Sequence, residues 1–357
     1  MRRRALLALA RGFGGAAASA LSCNGTNAAL CQLIHAAGSD GSNTHAVLVQ
    51  RGSTTLAEAY FVGRDKPSGA WFEREVAFSA EHAHDMRSIS KSVTGLVAGI
   101  VQGRGLLSLD QPVLDFSPEL ADLASATQWQ ITVRHLLDMT VGWAWNESDV
   151  PDTDPANSET QMVLAPDRNR HLLGLPMLFA PGSHWAYSGG ATALLADILE
   201  RCSGQGLLAL AQRSVFDPLG MPPVVWRSDR EGRTLAFSGL RLRPRELARI
   251  GRLVLGGGRW QGVQVVPADW IAATQATRIP AAYGMVYGRQ WWQGRFLQAP
   301  GSGVDFLAAI GHGGQRLFVV PRFDLVVVVT AGRYNQPDNG APSSRLLRGV
   351  LAALLAG

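Results

Sequence analysis

His84-Asp-Met-Arg-Ser-Ile-Ser-Lys-Ser-Val-Thr-Gly-Leu-Val-Ala-Gly-Ile-Val101 is the stretch on which the fold turns. Ile89, Val93, Leu96, Val97, Ile100 and Val101 recur at helical spacing, so a helix is expected from about Ser88 to Gln102, stopped by Gly103-Arg-Gly105. Ser88 and Lys91 are three residues apart, which places both side chains on one face. Ser88 stands at the helix start, where unpaired N–H groups and the helix dipole favour a developing negative charge. The chain carries 33 Lys plus Arg, and all but Lys66 and Lys91 are arginine.

That bias makes Lys91 informative. A serine hydroxyl is a weak nucleophile until a base takes its proton. A lysine can be that base when burial or a neighbouring cation lowers its pKa. A guanidinium keeps its proton at any usable pH. A chain that writes arginine nearly everywhere therefore retains a titratable amine at 91. Ser-x-x-Lys alone is a common pattern, equally met by an N-cap serine followed by an exposed lysine, so its company elsewhere decides.

Two further stretches supply that company. In Pro181-Gly-Ser-His-Trp-Ala-Tyr187-Ser-Gly-Gly190, a tyrosine sits between a Pro-Gly turn and a helix. A phenol beside an ammonium loses its proton more easily and can shuttle protons. In Gly311-His-Gly-Gly-Gln315, glycines precede a strand. They let a ligand approach the backbone, and a strand edge there can offer an N–H to an oxyanion.

Together these pieces resemble the penicillin-recognising serine hydrolase superfamily, which spans class C β-lactamases, DD-peptidases, esterases and 6-aminohexanoate-dimer hydrolases. The shared order is Ser-x-x-Lys, then Tyr-x-Asn, then Lys-Thr-Gly or His-x-Gly. Here it is Ser88-Ile-Ser-Lys91, Tyr187-Ser-Gly189 and His312-Gly-Gly314. Ile131-Thr-Val-Arg-His-Leu-Leu-Asp-Met-Thr140 and Gly313-Gly-Gln-Arg-Leu-Phe-Val-Val-Pro321 are similar to the dimer-hydrolase and esterase branch, over roughly residues 45–356. The resemblance implies an acylated Ser88, Lys91 helping to remove its proton, and Tyr187 relaying protons to the leaving group and activating water. It implies His312 lining the site and assisting Tyr187, and an oxyanion hole from the N–H groups of Ser88 and Gln315 beside Gly314. No cofactor is implied. Gly189 stands where lactamases have an asparagine that holds substrate, and His312 where many have lysine. Both departures favour a small ester or non-lactam amide over a β-lactam. The loop carrying Trp143 and Trp145 is expected to wall the site with aromatic surface.

The rest of the chain fits an α/β fold of the β-lactamase/transpeptidase type, an antiparallel sheet flanked by helices with an inserted, mostly helical subdomain. His45–Gly52 and Thr54–Val62 read as a hairpin. Strand character returns at Val286–Trp292, Gln315–Val320 and Asp324–Thr330, the last a buried apolar run. Helices are expected at 132–139, 190–202, 243–255 and 343–356, and a loop over 141–169, rich in Asp, Asn, Pro and Trp. One domain over 40–356 results, its α/β part from about 40–85 and 285–356 and its helical part from about 86–284.

Apolar residues make up 46% and charged residues 17% of the 357, which excludes a disordered chain. No apolar run reaches the length of a membrane span. The formal charge of +5 comes without basic runs interleaved with aromatics, which argues against nucleic acid. The run Arg241-Leu-Arg243-Pro-Arg245 reads as a solvated face. Residues 1–22 read as an export leader, three arginines before an apolar stretch with Ala18-Ser-Ala20 as a small-x-small cleavage site, giving a periplasmic or secreted protein with the cytoplasm as the alternative. An exported chain would allow Cys23 and Cys31 to pair.

Three rival readings compete. Ala186-Tyr-Ser188-Gly-Gly190 faintly resembles an α/β-hydrolase nucleophile elbow with Ser188 as nucleophile, though no strand precedes it. His82-Ala-His84-Asp85 suggests a metal cluster, but its spacing departs from metallo-hydrolase runs, so no metal is expected and both histidines are placed in a surface turn. A non-catalytic sensor of the same fold would have no need to retain Ser88, Lys91 and Tyr187 together.

Overall fold

In the computed structural model, which describes residues 20–23, 27–123, 125–151, 153–299 and 302–355, the run Leu325–Ala331 is a strand buried along its whole length. The reason is that both faces of its sheet are covered. The strands, numbered along the chain, are β1 (Ala20–Cys23), β2 (Thr44–Arg51), β3 (Thr54–Tyr60), β4 (Ile279–Pro280), β5 (Val286–Gly288), β6 (Trp291–Ala299), β7 (Ser302–Gly311), β8 (Gln315–Val320) and β9 (Leu325–Ala331). Their order in space is β1-β3-β2-β9-β8-β7-β6-β5-β4, and every neighbouring pair is antiparallel.

Side chains alternate across this sheet. Val47, Val49, Val327 and Val329 face one way, onto Leu30 and Ile34 of α1 (Ala28–Ala36) and Leu347 and Val350 of the C-terminal helix (Ala341–Leu355). Leu48, Val326 and Val328 face the other way, onto α2 (Ile89–Gly103) and a helix over Pro244–Leu255. That second helix lies so close that a Cβ on its Gly251 would stand 2.7 Å from Leu317 and Val326. Each valine or leucine so buried contributes about 1.5–3 kcal/mol. Helix α2 is buried from Ile89 to Val101, as an internal helix covered on every side must be.

Several expectations shift. The strand expected over Val286–Trp292 is two strands, β5 and β6, joined by Arg289 and Gln290 at φ of 48° and 69°. Two left-handed residues are what a two-residue hairpin turn requires, and glycine or asparagine normally supplies them. Here tertiary bonds do so: Arg289 N–H donates to Asp138 Oδ1 at 2.8 Å and Gln290 N–H to the Leu137 carbonyl at 3.0 Å. The loop expected over 141–169 holds a helix at Ser158–Leu164, and another begins at Arg168. The Asn157 and Asp167 that read as loop residues are their N-caps. β7 and α1 carried no expectation. The arginines at 241–245 are paired: Arg241 with buried Asp85 at 2.8 Å, Arg243 with Glu81 at 3.3 Å and Arg245 with Glu58 at 2.7 Å.

Cys23 and Cys31 form a disulfide, Cα to Cα 5.9 Å, which ties β1 to α1. Residues 1–19, with the arginine cluster and the start of the small-x-small motif, lie outside the described residues. Among those described, no helix is long and apolar enough to cross a membrane.

Candidate active site

The chain enters α2 through a strained step. Arg87 is left-handed, at φ 51°, a conformation that costs a non-glycine residue energy and is held by its surroundings. Its guanidinium donates to the Lys66 carbonyl at 3.0 Å and lies 4.6 Å over the Tyr334 ring. The N–H groups of Ile89, Ser90 and Lys91 then bond to the carbonyls of Met86, Arg87 and Ser88, a tight 3₁₀ turn that sets Ser88 at the N-cap. The Ser88 side chain makes no capping bond, so its hydroxyl is left for other work.

Lys91 is 1% exposed. Its ammonium donates to Ser88 Oγ and to the Phe237 carbonyl, both at 3.2 Å. It stands 3.9 Å from Glu147 Oε1 and 4.6 Å above the Tyr187 ring. The Tyr187 side chain shares this buried pocket, and its phenol is coupled electrostatically to Lys91. Tyr187 is fixed through its neighbours, both anchored on Met139 at the end of helix α3 (Val133–Asp138). Ala186 N–H donates to the Met139 carbonyl at 2.9 Å and Ser188 N–H to its sulfur at 3.1 Å.

Burial acts to strip the proton from Lys91. Tyr187, Glu147 and Glu159 together outweigh it and hold the ammonium above the ordinary lysine range. Burial raises the Tyr187 phenol; Lys91 opposes this and Glu147 reinforces it. The shift on Lys91 is thus opposite in direction to the lowering that burial alone would give.

Glu147 had no signal in the sequence beyond its place in a polar loop. Its Oε2 accepts from Gly189 N–H at 2.5 Å and from Trp145 Nε1 at 2.9 Å. A Cβ at Gly189 would stand 2.4 Å from Glu159 Oε2 and 3.1 Å from Glu147 Oε2. The glycine at the third position of Tyr187-Ser-Gly189 is therefore where two carboxylates fit.

The Beta-lactamase family model matches residues 33–349. The chain belongs to the Beta-lactamase family. It is a serine hydrolase of that superfamily. The 6-aminohexanoate-dimer hydrolase of Paenarthrobacter ureafaciens is 29% identical over 333 residues, covering 87% of this chain and 77% of its own length. Esterase EstB of Burkholderia gladioli is 34% identical over 143 residues, 38% of this chain and 36% of its own. Among solved structures, a penicillin-binding protein homologue from Caulobacter crescentus superposes with a TM-score of 0.72 at 18% identity, covering 93% of this chain and 99% of its own. That likeness concerns the fold.

Within this family fold, the turn carrying His312 lies against the segment that leads to Ser88: a Cβ at Gly311 would stand 2.3 Å from the Met86 carbonyl. Gly313 and Gly314 have φ of 84° and 97°, and a Cβ on Gly313 would enter the Tyr334 ring at 2.4 Å. Two bonds from the neighbouring segment position the exposed His312 ring: Nε2 accepts from Asn335 N–H at 3.1 Å and Nδ1 lies 3.5 Å from Asn339 Nδ2. The Gln315 side chain is buried and bridges to Ala331, donating to its carbonyl at 2.6 Å and accepting from its N–H at 3.1 Å. Its part at the site can only be that of its backbone.

Trp143 does not form a wall. It is 3% exposed, inside the hydrophobic core. Trp145 is half-buried and orients Glu147. The aromatic surface around Tyr187 comes instead from Trp185, Tyr287 and Trp292, with ring centroids 6.3, 6.3 and 5.6 Å away. Strand alternation across Trp291-Trp292 sends one indole to each face of the sheet.

Ser188 is spent as the N-cap of the helix Gly189–Ser203, accepting from Ala191 N–H at 3.0 Å. A nucleophile elbow also needs a parallel sheet, and this one is antiparallel. His84 is buried, not in a surface turn; the strand pair of His84-Asp85 with Arg241–Leu242 draws it inward. His82 stays half-buried, its ring edge-on to Phe78.

Proposed function

We propose that this protein cleaves an ester or amide through a covalent acyl-enzyme on Ser88, activated by Lys91 and Tyr187. The observation that carries the reading is the buried Lys91 ammonium, 3.2 Å from Ser88 Oγ and beside the Tyr187 phenol. As Ser88 Oγ attacks the carbonyl carbon, its proton passes to the Lys91–Tyr187 pair, which titrates as a unit. The pair must first lose a proton, so turnover rises with pH. Negative charge on the carbonyl oxygen is met by the N–H groups of Ser88 and Gln315. Tyr187 then protonates the departing oxygen or nitrogen. In the second half the pair takes a proton from water as it attacks the acyl carbon, then gives that proton to Ser88 Oγ as the acyl–Oγ bond breaks and the acid leaves.

Glu147 and Glu159 around Gly189, together with a histidine in place of lysine at 312, disfavour an anionic substrate such as a β-lactam. A true β-lactamase or DD-peptidase is the competing outcome. A fluorophosphonate probe is expected to label Ser88, located by peptide mass spectrometry, and Ser88→Ala to lose both label and turnover. Short-chain aryl esters are expected to show higher kcat/KM than cephalosporins. Labelling elsewhere, or turnover in Ser88→Ala, would overturn the acyl-enzyme; faster cephalosporin cleavage would overturn the substrate class.

A further inference from the structure

Behind the candidate site, three buried side chains from separate segments converge. His45 comes from β2, Asp65 from the end of the short strand Val62–Asp65, and His84 from the segment leading into α2. One donor atom from each lies within 4.8 Å of the others. His45 Nδ1 and His84 Nε2 are 2.9 Å apart, and Asp65 Oδ1 is 3.8 Å from His84 Nε2.

A count of protons shows what this meeting point lacks. His84 Nδ1 faces the Asp85 carbonyl at 3.1 Å and His45 Nε2 faces the Arg64 carbonyl at 3.1 Å. A carbonyl only accepts, so each of those nitrogens carries its ring's proton. The two remaining nitrogens of the neutral rings are then both lone pairs, aimed at one another. Turning either ring over would replace a backbone bond with a C–H. The third atom, a carboxylate oxygen, brings further lone pairs and no proton. A single added proton could bridge the two nitrogens at 2.9 Å, but it would bury an imidazolium whose carboxylate, 3.8 Å from His84 Nε2, is too far to hydrogen-bond it.

We infer that His45, His84 and Asp65 form a binding site for one divalent transition-metal ion, most suitably zinc. Imidazole and carboxylate are donors zinc accepts. Metal-bound histidines characteristically donate their other N–H to a backbone carbonyl or carboxylate, and both rings do so here. The carboxylate is in turn held by Tyr334, whose hydroxyl donates to Asp65 Oδ1 at 3.3 Å. The His45 ring is clamped by Phe78, stacked at 3.9 Å. Zinc–nitrogen bonds of about 2.0–2.1 Å at a tetrahedral angle separate two nitrogens by about 3.3 Å. The rings need to part by only about 0.4 Å to admit the ion. The three ligands join β2, the strand after β3 and the lead into α2, so the ion acts as a staple behind the nucleophile and takes no part in the chemistry at Ser88.

The test uses the full chain without a histidine tag, purified from cells grown with zinc and dialysed against metal-free buffer. Metal content by mass spectrometry is expected at about one zinc per chain. A strong chelator is expected to lower the melting temperature by about 5 °C, and added zinc to restore it. Cobalt exchanged into the site is expected to give visible ligand-field bands that Asp65→Asn weakens and His82→Ala leaves unchanged. Should the variants fail to fold, the wild-type measurements alone decide. A metal content near zero, with melting unmoved by chelator and by added zinc, cobalt or manganese, would overturn the site whether or not Ser88 is acylated.

Discussion

Two turns meet at the candidate site and are built by opposite means. The turn that presents Ser88 and Lys91 is enclosed and fixed several times over. Ser90 Oγ donates to the Arg87 carbonyl at 2.7 Å and accepts from Leu240 N–H at 3.2 Å; Thr94 Oγ1 donates to the Ala236 carbonyl at 3.1 Å. The turn that presents His312 is shaped by two glycines and leaves its side chain exposed. The first arrangement leaves little room for change around Lys91. The second can vary its side chain without disturbing the fold. On the proposed mechanism, chemistry falls on the rigid side and selectivity on the open one.

The comparison breaks most sharply at Lys91. Lys91→Arg is expected to reduce kcat/KM by about 10³-fold or more, since the guanidinium cannot give up a proton. The larger group also overfills a closed cavity, so stability is expected to fall by about 1–3 kcal/mol, read from denaturant unfolding. Unimpaired turnover would remove the amine from the mechanism. Next in size is Gly189→Asn, which writes the lactamase motif into this chain. The new side chain meets Glu159 and Glu147, so a loss of about tenfold in kcat/KM for esters, with no gain toward β-lactams, is expected. A gain in cephalosporin turnover would show that the two carboxylates yield.

Glu147→Gln sharpens the electrostatic side. Glu147 helps hold the proton on Lys91, and on the proposed mechanism activity grows as the Lys91–Tyr187 pair loses a proton. Removing that negative charge is expected to move the rising limb of the pH–rate profile to lower pH by about 1 unit; a shift upward would contradict the assigned charges. The smallest effect is expected at His312→Ala. A KM raised about three- to tenfold with kcat within about twofold would place the histidine in substrate binding, whereas a collapse of kcat would place it with Tyr187 in proton transfer.

What could be read from residues alone follows the range of the forces involved. The spacing of Ser88, Lys91 and the apolar positions after them is local, and α2 forms where that spacing puts it. Val326 to Val329 announce a buried strand because β-branched runs need cover on both faces. The Arg289–Gln290 hairpin was hidden, since its left-handed residues are held by Asp138 and Leu137, distant in sequence, and not by turn-forming side chains. Glu147 was hidden for the same reason: it becomes part of the site only when Gly189 is brought against it. Trp143 and Trp145 are two residues apart, and composition cannot tell which indole fills the core and which orients a carboxylate. The cluster of His45, Asp65 and His84 was beyond a scan for close spacing, because its members come from three segments.

The sheet joins segments far apart in the chain. Val47 on β2 is registered with Val329 on β9, and Asn27 Nδ2 donates to the Ala353 carbonyl, 326 positions away, at 2.8 Å. During translation the segment bearing Ser88 emerges long before the strands that must roof it. At about 5–20 residues per second, the early hairpin waits on the order of 10–50 s for its neighbour. In that interval its edges are open and its apolar faces wet, a state prone to association with other nascent chains. The sheet therefore closes around β2 only once β9, more than 260 residues further along the chain, has been made.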